Sequence, residues 1–132
     1  MRFIDSNVFL YTLIGSPKAA YETSRTILKR IEGGEEAVTS LAVLQEVVDW
    51  LEYNGRKREV ELFLTAVNSY TRMRKVSNRW RDYPKASAES GKAAIDFVDA
   101  LSLAVMRREG IGEVYSNDKD FDRIAGIKRV FE

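Results

Sequence analysis

Arg2-Phe3-Ile4-Asp5-Ser6-Asn7-Val8-Phe9-Leu10-Tyr11 is the stretch on which the fold turns. The apolar pair Phe3-Ile4 is too short for a helix and reads as a buried strand that runs into an acid. Ser6 and Asn7 are good N-cap residues for the apolar run Val8 to Ile14, since a short polar side chain accepts from a free N–H of the first turn. Asp5 is therefore expected where a strand gives way to a helix. In an open parallel sheet that carboxyl edge is where ligands bind. An acid there can also do no more than end the strand or cap the helix. What raises the stakes is that three further acids fall at positions that can converge on Asp5.

Downstream, Ser16-Pro17 reads as an N-cap followed by a first-turn proline. A helix with Ala20, Ile27, Leu28 and Ile31 on one face runs to Gly33-Gly34. Ala37-Val38-Thr39 reads as a second buried strand. Thr39 or Ser40 caps the next helix, whose apolar stripe is Leu44, Val47, Val48 and Leu51. Glu46 lies beside that stripe, with small Ala42 one turn before it. A helical Glu is ordinarily a solubilising residue, and Glu46 matters only if its edge of the helix faces Asp5. Asn54-Gly55 breaks the chain. A helix carrying Val60, Phe63, Val67 and Tyr70 follows, then a weak strand at Lys75-Val76-Ser77. Asn78 to Tyr83 is expected to be a loop, and Pro84 to open a helix reaching about Ala93.

The second informative stretch runs from Ile95 to Met106. Asp96 is an N-cap candidate with Asp99 three residues on, the spacing of a capping box with Asp in place of the usual Glu. Asp96 is assigned to capping. Asp99 is then an acid in the first turn of a helix that is otherwise almost all apolar or small, which points to a site. Gly110 ends this helix, and Glu113-Val114-Tyr115-Ser116 reads as a strand. Asp118 repeats the situation of Asp5, just past a strand's carboxyl end. A helix to Ala125 and an edge strand at Lys128-Arg129-Val130-Phe131 complete the chain. Strands alternating with helices predict an α/β fold with a mostly parallel sheet. Strand ends supply Asp5 and Asp118; helices supply Glu46 and Asp99. Four carboxylates around one pocket repel unless cations neutralise them, which is the physical case for a divalent metal.

Composition narrows the chemistry further. At 132 residues, a single domain spanning 1–132 is expected, large enough to bury a substantial core. There is no Cys and no His, which excludes disulfides, thiolate chemistry, a Ser-His-Asp triad and His-ligated metal. A metal here must be held by oxygen, which favours Mg²⁺ or Mn²⁺. No apolar run approaches membrane-spanning length, and the chain reaches Asp5 too soon for a secretory signal. The expected setting is the cytoplasm, with no membrane. The net charge of +1 is unevenly spread: residues 54–92 hold ten basic and four acidic residues. A basic middle beside acidic flanks suits a polyanion lying against a metal site, though a charge run is commonly just a solvated face.

The chain resembles the PIN-domain ribonucleases along its whole length. The likeness rests on Phe3-Ile4-Asp5-Ser6-Asn7-Val8-Phe9-Leu10, Ser40 with Glu46, Phe97-Val98-Asp99-Ala100-Leu101, and Tyr115-Ser116-Asn117-Asp118-Lys119-Asp120-Phe121. Size and layout look most like the VapC-type toxin of VapBC toxin–antitoxin modules. The resemblance implies a three-layer α/β/α sandwich with strand order 3-2-1-4-5 and Mg²⁺- or Mn²⁺-dependent hydrolysis of single-stranded RNA. The family's acidic quartet falls on Asp5, Glu46, Asp99 and Asp118, with Asp5 and Asp99 as the most direct metal ligands. Asp120 is the alternative fourth acid. The family's polar residue after the first acid falls on Asn7, and its hydroxyl residue before the last acid on Ser116. Basic residues from the middle of the chain would position phosphates without reading bases, with Arg79, Arg81 and Lys85 as candidates. The resemblance also implies a homodimer and a cognate antitoxin whose tail blocks the acidic pocket. Trp50, Trp80 or Tyr83, if exposed, would suit such an interface.

Three other readings compete. A non-catalytic PIN-like module would bind RNA or protein without cutting, and would have no need of all four acids. A phosphoacceptor receiver domain would want an acid pair at the first strand's end, where Asp5-Ser6-Asn7 offers one acid. A phosphohydrolase with an aspartyl nucleophile would carry Asp-x-Asp there, and Asn7 occupies the second position. Neither a Gly-x-Gly-x-x-Gly nor a phosphate-loop motif is present.

Overall fold

Five short strands alternate with six α-helices in the computed structural model, which describes residues 1–132. In chain order they are β1 (Arg2–Ile4), α1 (Ser6–Ile14), α2 (Lys18–Glu32), β2 (Ala37–Ser40), α3 (Leu41–Tyr53), α4 (Glu59–Ser69), β3 (Met73–Val76), α5 (Asp82–Ala93), α6 (Phe97–Glu109), β4 (Glu113–Tyr115) and β5 (Lys128–Val130). A 3₁₀ turn, Lys119–Arg123, links the last two strands. The strands form one fully parallel sheet in the order β3-β2-β1-β4-β5, as the resemblance implies, with helices on both faces.

The central strand explains why so short a sheet holds. Phe3 and Ile4 of β1 are completely buried, as are Val38 of β2 and Val114 and Tyr115 of β4. Strands covered on both faces are continuous apolar runs rather than alternating ones. The register sets Phe3 beside Val38 on one side and Val114 on the other. The outer strands carry charge instead. Arg74 and Lys75 of β3 and Lys128 of β5 face solvent, which discourages further strands from adding to the sheet.

Connections from β1 proceed to β2 and then β3 on one side; the β3-to-β4 connection crosses back, and β5 lies beyond. Right-handed crossovers running in opposite directions place their helices on opposite faces. The order therefore reverses between β1 and β4, and a crevice opens at their carboxyl ends. Asp5 and Ser116 are the first residues past those two strands.

Several boundaries differ from the sequence expectation, each for a local reason. The third strand is Met73–Val76, not Lys75-Val76-Ser77; Met73 supplies its one fully buried side chain. α5 starts at Asp82, ahead of Pro84, because the Asp82 carboxylate accepts from the backbone N–H of Arg79 at 2.9 Å and closes the turn before it. α2 starts after Pro17, with no side-chain cap from Ser16. Residues after Asp118 make a short 3₁₀ turn rather than a helix to Ala125. Ser40 is confirmed as the cap of α3, accepting from Val43 N–H at 3.1 Å. Thr39 instead donates to the carbonyl of Ile4 at 2.9 Å. No helix is long and apolar enough to cross a membrane.

Candidate functional site

The site begins with the backbone of Asp5, whose N–H donates to the Tyr115 carbonyl at 3.1 Å and so continues the β1–β4 ladder by one step. Asp5 itself caps α1: its backbone is extended and its Oδ1 accepts from Ser6 N–H at 2.8 Å. The caps expected at Ser6 and Asn7 are thus the first two helical residues. Their side chains are free for other work. Ser6 Oγ donates to Oε1 of Glu46 at 3.0 Å. Asn7 Nδ2 donates to Oδ2 of Asp5 and reaches Ser116 Oγ, both at 3.0 Å. Asn7 Oδ1 accepts from the Asn117 N–H at 3.1 Å.

Ser116 closes the arrangement. Its hydroxyl donates to Asp5 Oδ2 at 2.7 Å and accepts from the Asp118 N–H at 3.0 Å. With the Asn7 amide, this uses the one proton and both lone pairs of a serine hydroxyl. Asp118 caps the 3₁₀ turn by accepting from Asp120 N–H at 2.9 Å.

Charge shows which acids share the pocket. Burial pushes the Asp99 carboxyl up to about 9, and the charges of Asp5, Asp118, Asp96 and Glu46 add to it. Burial likewise pushes Asp5 up to about 6, against the hydrogen bonds from Ser116 and Ser6 and with the charges of Glu46 and Asp118. Glu46, half-buried on α3, is also raised, first by burial and then by Asp96 and Asp49, while the Ser6 hydroxyl pulls the other way. The charges of Glu46 and Asp118 thus bear on both Asp5 and Asp99, as carboxylates around one crevice must. Asp120 stands apart. It is ion-paired with Arg123 at 2.9 Å and is not among the charges that raise Asp5 or Asp99.

Asp96 is the acid whose role the sequence misses. It occupies the N-cap position of α6 but makes no side-chain cap hydrogen bond. The capping box with Asp99 is not formed. Asp96 instead lines a groove of about 720 Å³ between α3 and the starts of α5 and α6, which Glu46 also lines. The spacing alone could not separate a cap from a pocket acid, because a cap is decided by rotamer and not by residue type.

The basic candidates lie elsewhere. Arg79, Arg81 and Lys85 are exposed around the start of α5, and none is hydrogen-bonded to the acids. Trp50 is half-buried against the core, with the Arg56 guanidinium over its ring. Trp80 and Tyr83 are exposed.

The donor set of the crevice is carboxylate, hydroxyl and amide oxygen, which suits a hard cation such as Mg²⁺ or Mn²⁺. Asp99 is the clearest invitation. It is 7% exposed, and no cation of the chain is ion-paired to it. A buried carboxylate normally has such a partner. As the side chains stand, no three acids form a ready-made metal cage.

Comparison with known proteins agrees with this layout. The model of the PIN domain family matches residues 2–127. A VapC ribonuclease of Mycobacterium bovis and ribonuclease VapC13 of Mycobacterium tuberculosis are each 27% identical over 136 residues, covering 98% of this chain and 99% of theirs. Among solved structures, VapC20 of Mycobacterium tuberculosis, a Sarcin-Ricin loop cleaving toxin, superposes with a TM-score of 0.74 at 24% identity, covering 92% of this chain and 93% of its own. VapBC2 from Rickettsia felis, bound to a DNA fragment from its promoter, gives 0.71 at 16% identity, covering 98% and 96%. These two structural likenesses speak for the fold. The family match spans nearly the whole chain and includes all four converging acids: the chain belongs to the PIN-domain family.

Proposed function

We propose that this chain is a divalent-metal-dependent endoribonuclease of the VapC type, cutting single-stranded RNA as the toxin of a toxin–antitoxin pair. The observation that carries this reading is the buried, unneutralised Asp99 among the charges of Asp5, Glu46 and Asp118. The VapC ribonucleases among its relatives support it. The whole chain acts as one domain, and the protein works as a homodimer with a cognate antitoxin.

Asp5 and Asp99 are the direct metal ligands in this reading, with Glu46 and Asp118 completing the site directly or through water. A bound Mg²⁺ or Mn²⁺ supplies charge stabilisation at the phosphoryl oxygens and lowers the pKa of the attacking water. The chain's own contribution is orientation. Asn7 and Ser116 hold Asp5 Oδ2 in place with hydrogen bonds of 3.0 and 2.7 Å, and Ser6 steadies Glu46 at 3.0 Å. Arg79, Arg81 and Lys85 hold backbone phosphates of the strand.

In this reading the nucleophile is water rather than the ribose 2′-hydroxyl, because an ion held by the acids would lower the pKa of a bound water. Cleavage in ¹⁸O-labelled water tests this. Label in the terminal phosphate of the products, with no 2′,3′-cyclic phosphate and with 2′-deoxy substitution tolerated at the cut, is the expected result. A cyclic phosphate would refute the hydrolytic route.

The competing reading is a non-catalytic RNA- or protein-binding PIN module, in which the acids hold no ion. Calorimetric titration with Mn²⁺ separates the two: no heat of binding in wild type would favour the module.

A further inference from the structure

We propose that the exposed aromatic ladder Trp80–Tyr83–Phe97 is a base-stacking subsite that holds unpaired bases of a single-stranded RNA beside the acid crevice. This rests on the ribonuclease reading and adds to it where the strand lies. Trp80 stacks on Tyr83, with ring centroids 5.8 Å apart and planes inclined by 21°. Tyr83 meets Phe97 at 5.9 Å and 54°. Trp80 is nevertheless 80% exposed and Phe97 40%, an unusual degree of exposure for side chains with so much apolar surface.

The ladder leads to the acids. Tyr83 and Phe97 line the same groove as Glu46 and Asp96. Phe97 opens α6, the helix that carries Asp99 two residues later. A strand whose phosphate lies at the crevice therefore has aromatic faces available to the bases next to it.

Charge selects the occupant. Arg79, Arg81 and Lys85 surround Trp80 and Tyr83 in the sequence, are exposed, and take part in none of the ion pairs. The acids of the same segment are already neutralised, Asp82 by Arg108 at 3.0 Å and Glu89 by Arg107 at 2.7 Å. The exposed Trp80 end of the ladder is thus flanked in sequence by unpaired cations, while its Phe97 end shares the groove with Glu46, Asp49 and Asp96. The core of a protein-docking patch is depleted of charge. Aromatic faces set among free cations are the pattern that holds single-stranded nucleic acid, with bases on the rings and phosphates on the cations. Stacking tolerates any base, so this subsite places the strand without dictating its sequence.

The test is fluorescence anisotropy with the Asp99→Asn protein, in which the strand survives, and a labelled single-stranded RNA of about ten nucleotides. A strand of equal length with abasic riboses carries the same phosphates without the bases. Trp80→Ala should weaken binding of the normal strand by about 5- to 100-fold. Trp80→Phe should restore most of it, and the abasic strand should bind weakly and be indifferent to both changes. Unchanged affinity on Trp80→Ala would overturn the proposal, as would an equal loss for the abasic strand. So would dissociation of a dimer by Trp80→Ala in sedimentation velocity without RNA, which would make the ladder a contact between copies. Base-dependent binding by a wild-type protein that cuts no RNA would leave the subsite standing and remove the nuclease. Cleavage with no effect of Trp80→Ala on binding would remove the subsite alone.

Discussion

Ser116, one residue past β4, donates a 2.7 Å hydrogen bond to Oδ2 of Asp5, one residue past the neighbouring β1. The same hydroxyl accepts from Asn7 and from the Asp118 backbone. It therefore couples the ends of two strands to the orientation of one carboxylate. Ser116→Ala leaves the Asn7 amide and the Asp118 N–H, both partly buried, each short of an acceptor. The expected cost is about 1–3 kcal/mol of stability, read by urea denaturation. Metal affinity should fall about 10- to 100-fold, as it does when an oriented ligand loses its support. Wild-type stability and metal binding in this variant would show that the hydroxyl orients nothing.

Asp5 and Asp99 bind their protons more tightly in the folded chain than in the unfolded one, at about 6 and about 9. Metal-free protein therefore has the full benefit of the neutral carboxyls below the ordinary range, near pH 4, and loses it as pH rises through those two values. Each tenfold difference in proton affinity corresponds to about 1.4 kcal/mol. Asp99→Asn removes the larger share, so its metal-free Tm at pH 8 should exceed that of wild type by roughly 5 °C or more. The difference should shrink towards pH 5. Thermal melts in EDTA across this range check it; a mutant less stable than wild type at pH 8 would contradict a repelling cluster.

Added Mn²⁺ should reverse the same penalty. A ligand that binds only the folded state stabilises by mass action, about 2.7 kcal/mol at a hundredfold excess over Kd. Wild type should melt higher in Mn²⁺ than in EDTA, with most of that gain lost in Asp99→Asn. Equal gains in both proteins would place the ion somewhere other than the acid crevice.

Asn7→Asp keeps the shape of the side chain and removes the amide that donates to Asp5 and contacts Ser116. It also adds a carboxylate to a crevice that already lacks cations. A loss of about 2 kcal/mol or more is expected in metal-free protein near neutral pH, becoming smaller as the acids are protonated. Urea titrations at pH 5 and pH 8 measure this, and an equal loss at both would argue for a packing effect.

Asp5 could be found in the sequence because Phe3-Ile4 is an apolar pair that stops at an acid, and both are fully buried as the middle of the sheet. Asp99 stood out because its helix is otherwise apolar. Glu46 could be read only as an acid that would join Asp5 if its edge of the helix faced it, and the resemblance supported that; the contact that brings it in, Ser6 to Glu46, spans forty residues and leaves no local pattern. Caps were read less well. Asp5 caps α1 in place of Ser6, and Asp96 caps nothing by its side chain, because the same residue types serve either role and the backbone angle decides. The β3 boundary was missed because an edge strand with one buried side chain has almost no hydrophobic pattern to see. Trp80 and Tyr83 could be named only as interface residues if exposed, and their stacking was not visible, since an exposed aromatic and a core aromatic look alike in a sequence.

The most direct test of the central claim is cleavage of a labelled, partly single-stranded RNA by purified protein in Mn²⁺, in Mg²⁺ and in EDTA, beside Asp99→Asn. Cleavage that requires the divalent ion and disappears in Asp99→Asn is the predicted result. Cleavage that persists in EDTA, or that survives Asp99→Asn at the wild-type rate, would contradict it.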